Sequence, residues 1–283
     1  MMSYSINKVL NFAYKSLLSS KLKNSKIDAE ILLCHVLRKD LKYLILNPDY
    51  ILDNEKSALY KNLINRRKLN EPVAYILKRK EFWKNNFKVN KNVLIPRPDT
   101  EILIEETLKL VKEYQNKKIL DIGTGSGCLI ISILKELHNV KGVAIDVSKK
   151  ALKVAKINAK LHHLENRIKF YKSSVDNFYK GKYDLIVSNP PYINNLSIKY
   201  LAKDIVNYEP MVALRGGLDG SLLIYKVIKK SSSLLKVGGK LLLEIGFDQK
   251  FKVMKQLRAS NFYVNKIVKD YNNIDRCIVS TKK

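Results

Sequence analysis

The tetrapeptide Asn189-Pro190-Pro191-Tyr192 carries the residue types best suited to chemistry in this chain. Two consecutive prolines remove two backbone donors and lock two φ angles, so the Pro190 carbonyl is held in one direction beside the Asn189 side chain. Two acceptors aimed at one NH2 group hold both of its hydrogens and turn the nitrogen lone pair toward an electrophile. That arrangement suits a nitrogen whose lone pair is conjugated, either a carboxamide or an exocyclic base amine. Tyr192 supplies a flat face against which such a planar group can stack.

A second constellation, Asp121-Ile122-Gly123-Thr124-Gly125-Ser126-Gly127, has the spacing Gly-x-Gly-x-Gly. Glycines here permit a tight turn and let a ligand touch the backbone. A dinucleotide fingerprint asks for a small residue such as Gly or Ala one step later, where this chain has Cys128. Asp146 stands 25 residues beyond Asp121. A carboxylate there can accept hydrogen bonds from both hydroxyls of a ribose. Loop and acid together predict a nucleoside-containing ligand, and the spacing favours S-adenosylmethionine over NAD. Methyl transfer from that sulfonium releases a neutral thioether, so no strong general base is needed and positioning and electrostatics carry the rate.

These groups need elements to place them. Short apolar strands are predicted at 118–122, 142–146, 168–172, 184–188 and 240–245, alternating with helices, one of them running from its N-cap Ser148 to His162. Two final strands near 262–268 and 277–280 complete a mainly parallel sheet covered on both faces. The glycine loop and the tetrapeptide then fall at the carboxyl edge, where open α/β sheets bind ligands. Upstream, Ile6, Leu10, Ala13 and Leu17 repeat at helical spacing, Asp28 to Leu37 repeats the pattern, and Asp53 is placed to cap a helix reaching Arg67. Between the two regions, residues 81–89 predict two short strands around an Asn85-Asn86 turn. Two prolines in Ile95-Pro96-Arg97-Pro98-Asp99-Thr100-Glu101 stiffen the approach to a helix capped by Asp99 or Thr100.

Composition removes other classes. With 283 residues, 46% of them hydrophobic, the chain can bury a core and is not a disordered segment. No stretch of about 18 residues is free of charge, and the start Met1-Met2-Ser3 onward lacks the pattern of a secretory signal. Cys34, Cys128 and Cys277 lie far apart, which argues against a disulfide scaffold or structural zinc and fits a reducing cytosol. The four histidines lie in no motif. The net charge of +27 divides as +10 over residues 1–90 and +17 over 91–283, so no basic domain stands out. A solvated lysine-rich surface accounts for it better than long-range attraction to an RNA-associated partner does.

With these motifs in order, the chain resembles the protein-glutamine N5-methyltransferases that modify peptide chain release factors, the bacterial PrmC/HemK family. The resemblance rests on Glu71-Pro72-Val73-Ala74, Lys80-Glu81-Phe82-Trp83, Leu94 through Glu101, Asp121 through Gly127, Asp146, Asn189 through Tyr192 and Glu209-Pro210. It implies an α/β fold: a seven-stranded Rossmann-like class I methyltransferase domain over 99–283, preceded by a helical substrate-recognition bundle over 1–78 and a hairpin linker over 79–98. It implies S-adenosylmethionine as cosubstrate with no metal, held by Gly123, Thr124, Gly125, Ser126, Gly127, Asp146, Val175 and Asn189. Asn189, Pro190, Pro191 and Tyr192 would bind the glutamine of a Gly-Gly-Gln motif, with Asn189, Pro190 and Tyr192 catalytic. The implied partners are class-1 release factors in the cytoplasm, with no membrane and no direct nucleic-acid substrate. The tetrapeptide alone is shared with adenine-N6 methyltransferases of DNA and RNA, the alternative reading. One departure is visible: where the family usually has Ser-Asp and an aromatic residue near the adenine, this chain has Ser173-Ser174-Val175. That change predicts somewhat weaker cofactor binding.

Overall fold

Apolar residues at three- and four-residue intervals build α1 (Ile6–Ser19), which buries Ile6, Val9, Ala13 and Leu17. The computed structural model describes residues 4–111 and 117–283, so Met1-Met2-Ser3, on which the reading of the N-terminus partly rests, lies outside the described residues. Next come α2 (Ser25–Leu37), α3 (Leu41–Leu46), α4 (Asn54–Lys68) and α5 (Val73–Ile76). Asp53 caps α4, accepting from the Lys56 amide at 2.7 Å. Helices α1, α2 and α4 share a core of Leu17, Leu32, Leu33, Tyr60 and Leu63. Within it the buried Arg67 guanidinium donates to Asp28 at 2.7 Å, and the Tyr60 hydroxyl donates to the Ala29 carbonyl.

The hairpin β1 (Arg79–Phe82) and β2 (Asn85–Lys88) follows. Its turn is Trp83-Lys84 rather than Asn85-Asn86, because the register pairs Phe82 with Asn85. Both turn residues have positive φ, 45° and 58°, the backbone that a two-residue hairpin loop demands. Distant partners offset that unfavourable conformation: the Trp83 amide donates to Glu101 and its indole to Glu136, each at 2.8 Å. The turn could not be read locally, because what holds it lies 18 and 53 residues away.

The chain continues through α6 (Glu101–Val111), β3 (Lys118–Ile122), α7 (Cys128–Glu136), β4 (Lys141–Asp146), α8 (Lys149–Leu161), β5 (Ile168–Lys172), β6 (Tyr183–Ser188), α9 (Lys203–Tyr208), α10 (Leu222–Leu234), β7 (Leu235–Glu244), α11 (Lys250–Ala259), β8 (Phe262–Lys269) and β9 (Asp275–Lys282). All seven predicted strands are present, in the order β5-β4-β3-β6-β7-β9-β8. Strands β3 to β7 pair in parallel and the last two are antiparallel. Alternate residues of β3 feed opposite layers: Ile119 packs with Ile130 and Leu134 of α7, Leu120 with Ile224 and Ile228 of α10. Burial on both faces is why these strands read as continuous apolar runs. Strand β7 is longer than predicted, with a register shift against β6 between Tyr183 and Leu185. As predicted, Ser148 caps α8, accepting from the Ala151 amide at 3.1 Å.

Thr100 is a correction. The residues before α6 form a 3-10 turn, Pro98–Thr100, and the Thr100 hydroxyl donates to Glu244 instead of capping the helix. The chain divides into two units, Met1–Lys78 with Ala202–Tyr208, and Arg79–Leu201 with Glu209–Lys283. Helix α9 therefore groups with the N-terminal helices, where the Tyr208 hydroxyl donates to the Leu69 carbonyl at 2.8 Å. Phe82 and Phe87 of the hairpin lie in the core of the sheet unit. No helix of the described residues is long and apolar enough to cross a membrane.

Candidate active site

Strand order reverses beside β3, whose neighbours are β4 and β6, so the chain leaves adjacent strand ends in opposite directions and a crevice opens at their carboxyl edge. A cavity of about 390 Å³ occupies that place. Gly123 and Gly125, then Asp146, Val175, Asn189, Pro190 and Pro191, line it, so seven of the predicted site residues meet in one pocket. Thr124, Ser126, Gly127 and Tyr192 stand behind its wall. The Thr124 hydroxyl donates to Asp121 at 2.7 Å, and the Ser126 carbonyl accepts from Asn158 at 2.8 Å.

The three loop glycines have φ of +78°, +55° and +80°. A side chain is strained in that region, which explains why alternate positions are glycine. At Gly123 and Gly125 an added Cβ would meet nothing within 4 Å, so the backbone there is open to a ligand. At Gly127, which opens α7, a Cβ would come within 3.0 Å of Ile131 and 3.2 Å of Ala155. The fully buried Asn158 of α8 braces the loop from behind: its carboxamide donates to the Ser126 and Lys88 carbonyls and accepts from the Lys88 amide at 2.7 Å.

Asp146, at the end of β4, is aimed by two backbone donors, Gly125 at 2.9 Å and Ser148 at 2.8 Å. Each carboxylate oxygen keeps lone-pair capacity for a further donor. Burial raises its pKa, against the pull of those two amides. Behind the loop, burial pushes Asp121 up to about 7. Ser173 and Val175 follow β5 and line the cavity. The Ser173 hydroxyl bonds to the Ser174 carbonyl, and Asp176 turns away to pair with Lys226 at 2.6 Å. No acidic side chain of this loop therefore lines the cavity.

Asn189 leads out of β6, and the register of Ser188 with Leu243 sets it level with Glu244 at the end of β7. Its side-chain NH2 donates to the Thr100 hydroxyl at 2.9 Å; that hydroxyl donates to Glu244 at 2.7 Å, and the Tyr192 hydroxyl donates to the other Glu244 oxygen at 3.2 Å. Burial pushes Glu244 up to about 7, opposed by these two hydroxyls and by Arg276. Burial, then the Glu244 charge, also raises the Tyr192 phenol. Sequence reasoning offered Thr100 only as a helix cap and gave Glu244 no role. The available signal was a carboxylate closing the apolar run Leu241-Leu242-Leu243, on the strand next to the tetrapeptide.

Two further contacts hold the surroundings. Arg97 pairs with the buried Glu209, which also accepts from the Ile95 amide at 3.2 Å, so the motif around Pro96 and Pro98 is tied to Glu209-Pro210. The segment Gly216–Gly220 runs against the tetrapeptide backbone, with the Gly216 amide donating to the Ile193 carbonyl at 2.8 Å. Gly220 has φ +77°, and a Cβ there would lie 2.3 Å from the Tyr192 carbonyl oxygen, so only glycine fits. Among the described residues no group of three or more His, Cys, Asp or Glu is placed to hold a metal ion.

Compared with known proteins, residues 8–77 match the family described as PrmC N-terminal domain, and residues 98–255 match that described as Methyltransferase small domain. A release factor glutamine methyltransferase of Clostridium botulinum is 39% identical over 272 residues, covering 95% of this chain and 96% of that protein. A protein of Rickettsia typhi named bifunctional methyltransferase is 39% identical over 297 residues. That match takes in 98% of this chain but 57% of the relative, so the chain spans little more than half the length of that protein. Among solved structures, a methyltransferase from Pyrococcus furiosus superposes with a TM-score of 0.52 at 19% identity. It covers 69% of this chain and 88% of its own, a likeness of fold alone.

Proposed function

We infer the reaction from the premise that this chain belongs to the release factor glutamine methyltransferase family. It transfers a methyl group from S-adenosylmethionine to the side-chain amide nitrogen, N5, of the glutamine in the Gly-Gly-Gln motif of class-1 peptide chain release factors. The observation that carries this reading is Asn189, fixed by its own NH2 group on Thr100 and lining the same cavity as Pro190, Asp146 and the open glycine backbone.

A methyltransferase fold implies S-adenosylmethionine, and the residues present fit it: backbone open at Gly123 and Gly125, a carboxylate with spare acceptors at Asp146, and an apolar wall at Val175. Bound there, it supplies a methyl group on a positive sulfur that departs as a neutral thioether. Gly123 and Gly125 would face the methionine part, with Thr124, Ser126 and Gly127 keeping the loop in shape. Asp146 would hold the ribose, and Ser173 and Val175 would border the adenine with less stacking surface than an aromatic residue gives.

Asn189 Oδ1 and the Pro190 carbonyl would accept hydrogen bonds from the two N–H groups of the glutamine NH2, turning its lone pair toward the methyl group; once the N–C bond has formed, the nitrogen would release one of its protons to water. Acceptors held in advance by the hydrogen bond to Thr100 and by the two prolines would need little reorganisation at the moment of reaction. Pro191 keeps the turn rigid, and Tyr192, its hydroxyl on Glu244, supports the pocket for the planar amide. The helices of residues 4–78 would recognise the release factor, and such a substrate places the reaction in the cytoplasm.

Incubation with methyl-labelled cofactor and purified release factors tests the reading. Label confined to the Gly-Gly-Gln peptide, with a mass gain of one methyl group, is the expected result. Label in DNA or RNA instead would overturn it in favour of adenine-N6 methylation.

A further inference from the structure

The hydrogen bonds behind Asn189 have a direction, and that direction decides what its amide offers the cavity. A threonine hydroxyl has one hydrogen to give, whereas an ionised carboxylate can only accept. With Glu244 ionised, the Thr100 hydrogen must go to Glu244 Oε2 at 2.7 Å, leaving Thr100 Oγ1 to accept from Asn189 Nδ2 at 2.9 Å. The Asn189 NH2 is thereby assigned to the protein, and Oδ1, which takes no hydrogen bond from the described residues, is left for a ligand. We propose that Glu244, acting through Thr100, is the positioning residue that holds the Asn189 amide with its oxygen toward the substrate nitrogen. The proposal rests on the reaction inferred above and adds to it two residues that touch neither substrate nor cofactor.

Protonation of Glu244 undoes the assignment. A carboxylic acid can donate to Thr100 Oγ1, and the Thr100 hydrogen is then free to point at the asparagine. The amide rotates by half a turn and accepts from Thr100 through Oδ1. Its NH2 then faces the NH2 of the glutamine, two donors with nothing between them to accept. No atom is transferred, only the sense of two hydrogen bonds, yet the acceptor pair loses a member.

The surroundings of Glu244 place this reversal in the neutral range. The carboxyl is 1% exposed, and burial pushes its pKa up to about 7. Facing it are the Tyr192 hydroxyl from the loop after β6, Asp99 from the turn before α6, and Arg276 and Cys277 from β9. Arg276 favours the ionised form and Asp99 opposes it; Arg276 is itself held by Asp270 at 3.0 Å and lies 3.7 Å from Asp99. Burial raises the Cys277 thiol and keeps it neutral.

Two readouts test the relay, one of which needs no turnover. In the ligand-free protein, the Asn189 side-chain amide resonance, identified by its loss in Asn189→Ala, should shift with a midpoint near pH 7 and should stop titrating in Glu244→Gln. In methylation assays the wild-type kcat should fall as pH drops through the same midpoint, while Glu244→Gln stays low and flat. Thr100→Val, which keeps the shape and removes the hydroxyl, should lower kcat about tenfold to a hundredfold with release-factor KM and cofactor affinity changed less than about twofold. Thr100→Ser should recover most of the loss. A folded Thr100→Val that keeps wild-type kcat and an unmoved Asn189 resonance would overturn the relay. A wild-type protein that methylates no release factor would instead overturn the reaction, while the amide resonance still decides the relay.

Discussion

In the proposed reaction Asn189 and Asp146 would have separable duties. Removing a preorganised polar contact at the reacting group costs about two to three orders of magnitude in rate. Asn189→Ala should therefore keep the fold and cofactor affinity while kcat drops by roughly that factor; single-turnover rates at saturating cofactor measure it. Asp146 would serve the ligand and the loop together, since its oxygens hold the Gly125 and Ser148 amides. A charge-assisted hydrogen bond contributes about 1.5–3 kcal/mol, so Asp146→Ala should weaken cofactor binding by at least about tenfold by titration calorimetry. Unaltered affinity would remove Asp146 from the ribose assignment. That both would reach one cavity was legible in the sequence, because each sits at a fixed offset from a glycine or proline signal. Thr100 stood inside a recognised motif, yet its purpose depends on Glu244, 144 residues away.

Among the elements, α8 does more than cover the sheet. Asn158 carries three hydrogen bonds from its buried face, two to the Lys88 backbone of β2 and one to the glycine loop at Ser126. Asn158→Ala leaves the part-buried Lys88 amide and carbonyl and the buried Ser126 carbonyl without these partners. A buried group stripped of its partner costs about 1–3 kcal/mol, so the loss in urea unfolding should be on the order of 2–4 kcal/mol. Cofactor affinity should fall with it, because the Ser126 carbonyl is part of the loop. Stability within experimental error of wild type would refute the bracing role. Helical periodicity found α8 and its cap correctly. It could not say that a polar residue on the buried side faced a hairpin 70 positions earlier, for that requires knowing which strands and helices become neighbours.

For the whole molecule, two carboxyl groups sit buried at the carboxyl edge of the sheet, Asp121 and Glu244, both pushed up to about 7. The unfolded chain holds such groups near 4, so between about pH 4 and 7 the folded state binds more protons than the unfolded one. Stability from these groups is therefore fully present below about pH 4 and is lost as pH rises through 7. Glu244→Gln removes one of them. Relative to wild type, its unfolding free energy should improve between pH 5 and pH 8 by on the order of 1–3 kcal/mol. Parallel wild-type and variant pH profiles in urea unfolding would contradict this. The ionised form that destabilises the fold is the form that orients Asn189 in the proposed relay, so stability and activity should have opposite pH trends here.

The α/β class, seven strands, the N-terminal helices, the caps at Asp53 and Ser148 and the positions of the glycine loop and tetrapeptide were all readable from the residues. Each follows from spacing of two to four residues, from proline and glycine geometry, or from apolar runs, and such interactions act between chain neighbours. Tertiary structure alone decided the left-handed Trp83-Lys84 turn, the grouping of α9 with the N-terminal helices, the closeness of Gly220 to Tyr192 and the relay from Asn189 to Glu244. These depend on contacts between residues distant in sequence. Neutral-range carboxyl groups likewise exist only once packing has removed water from around them.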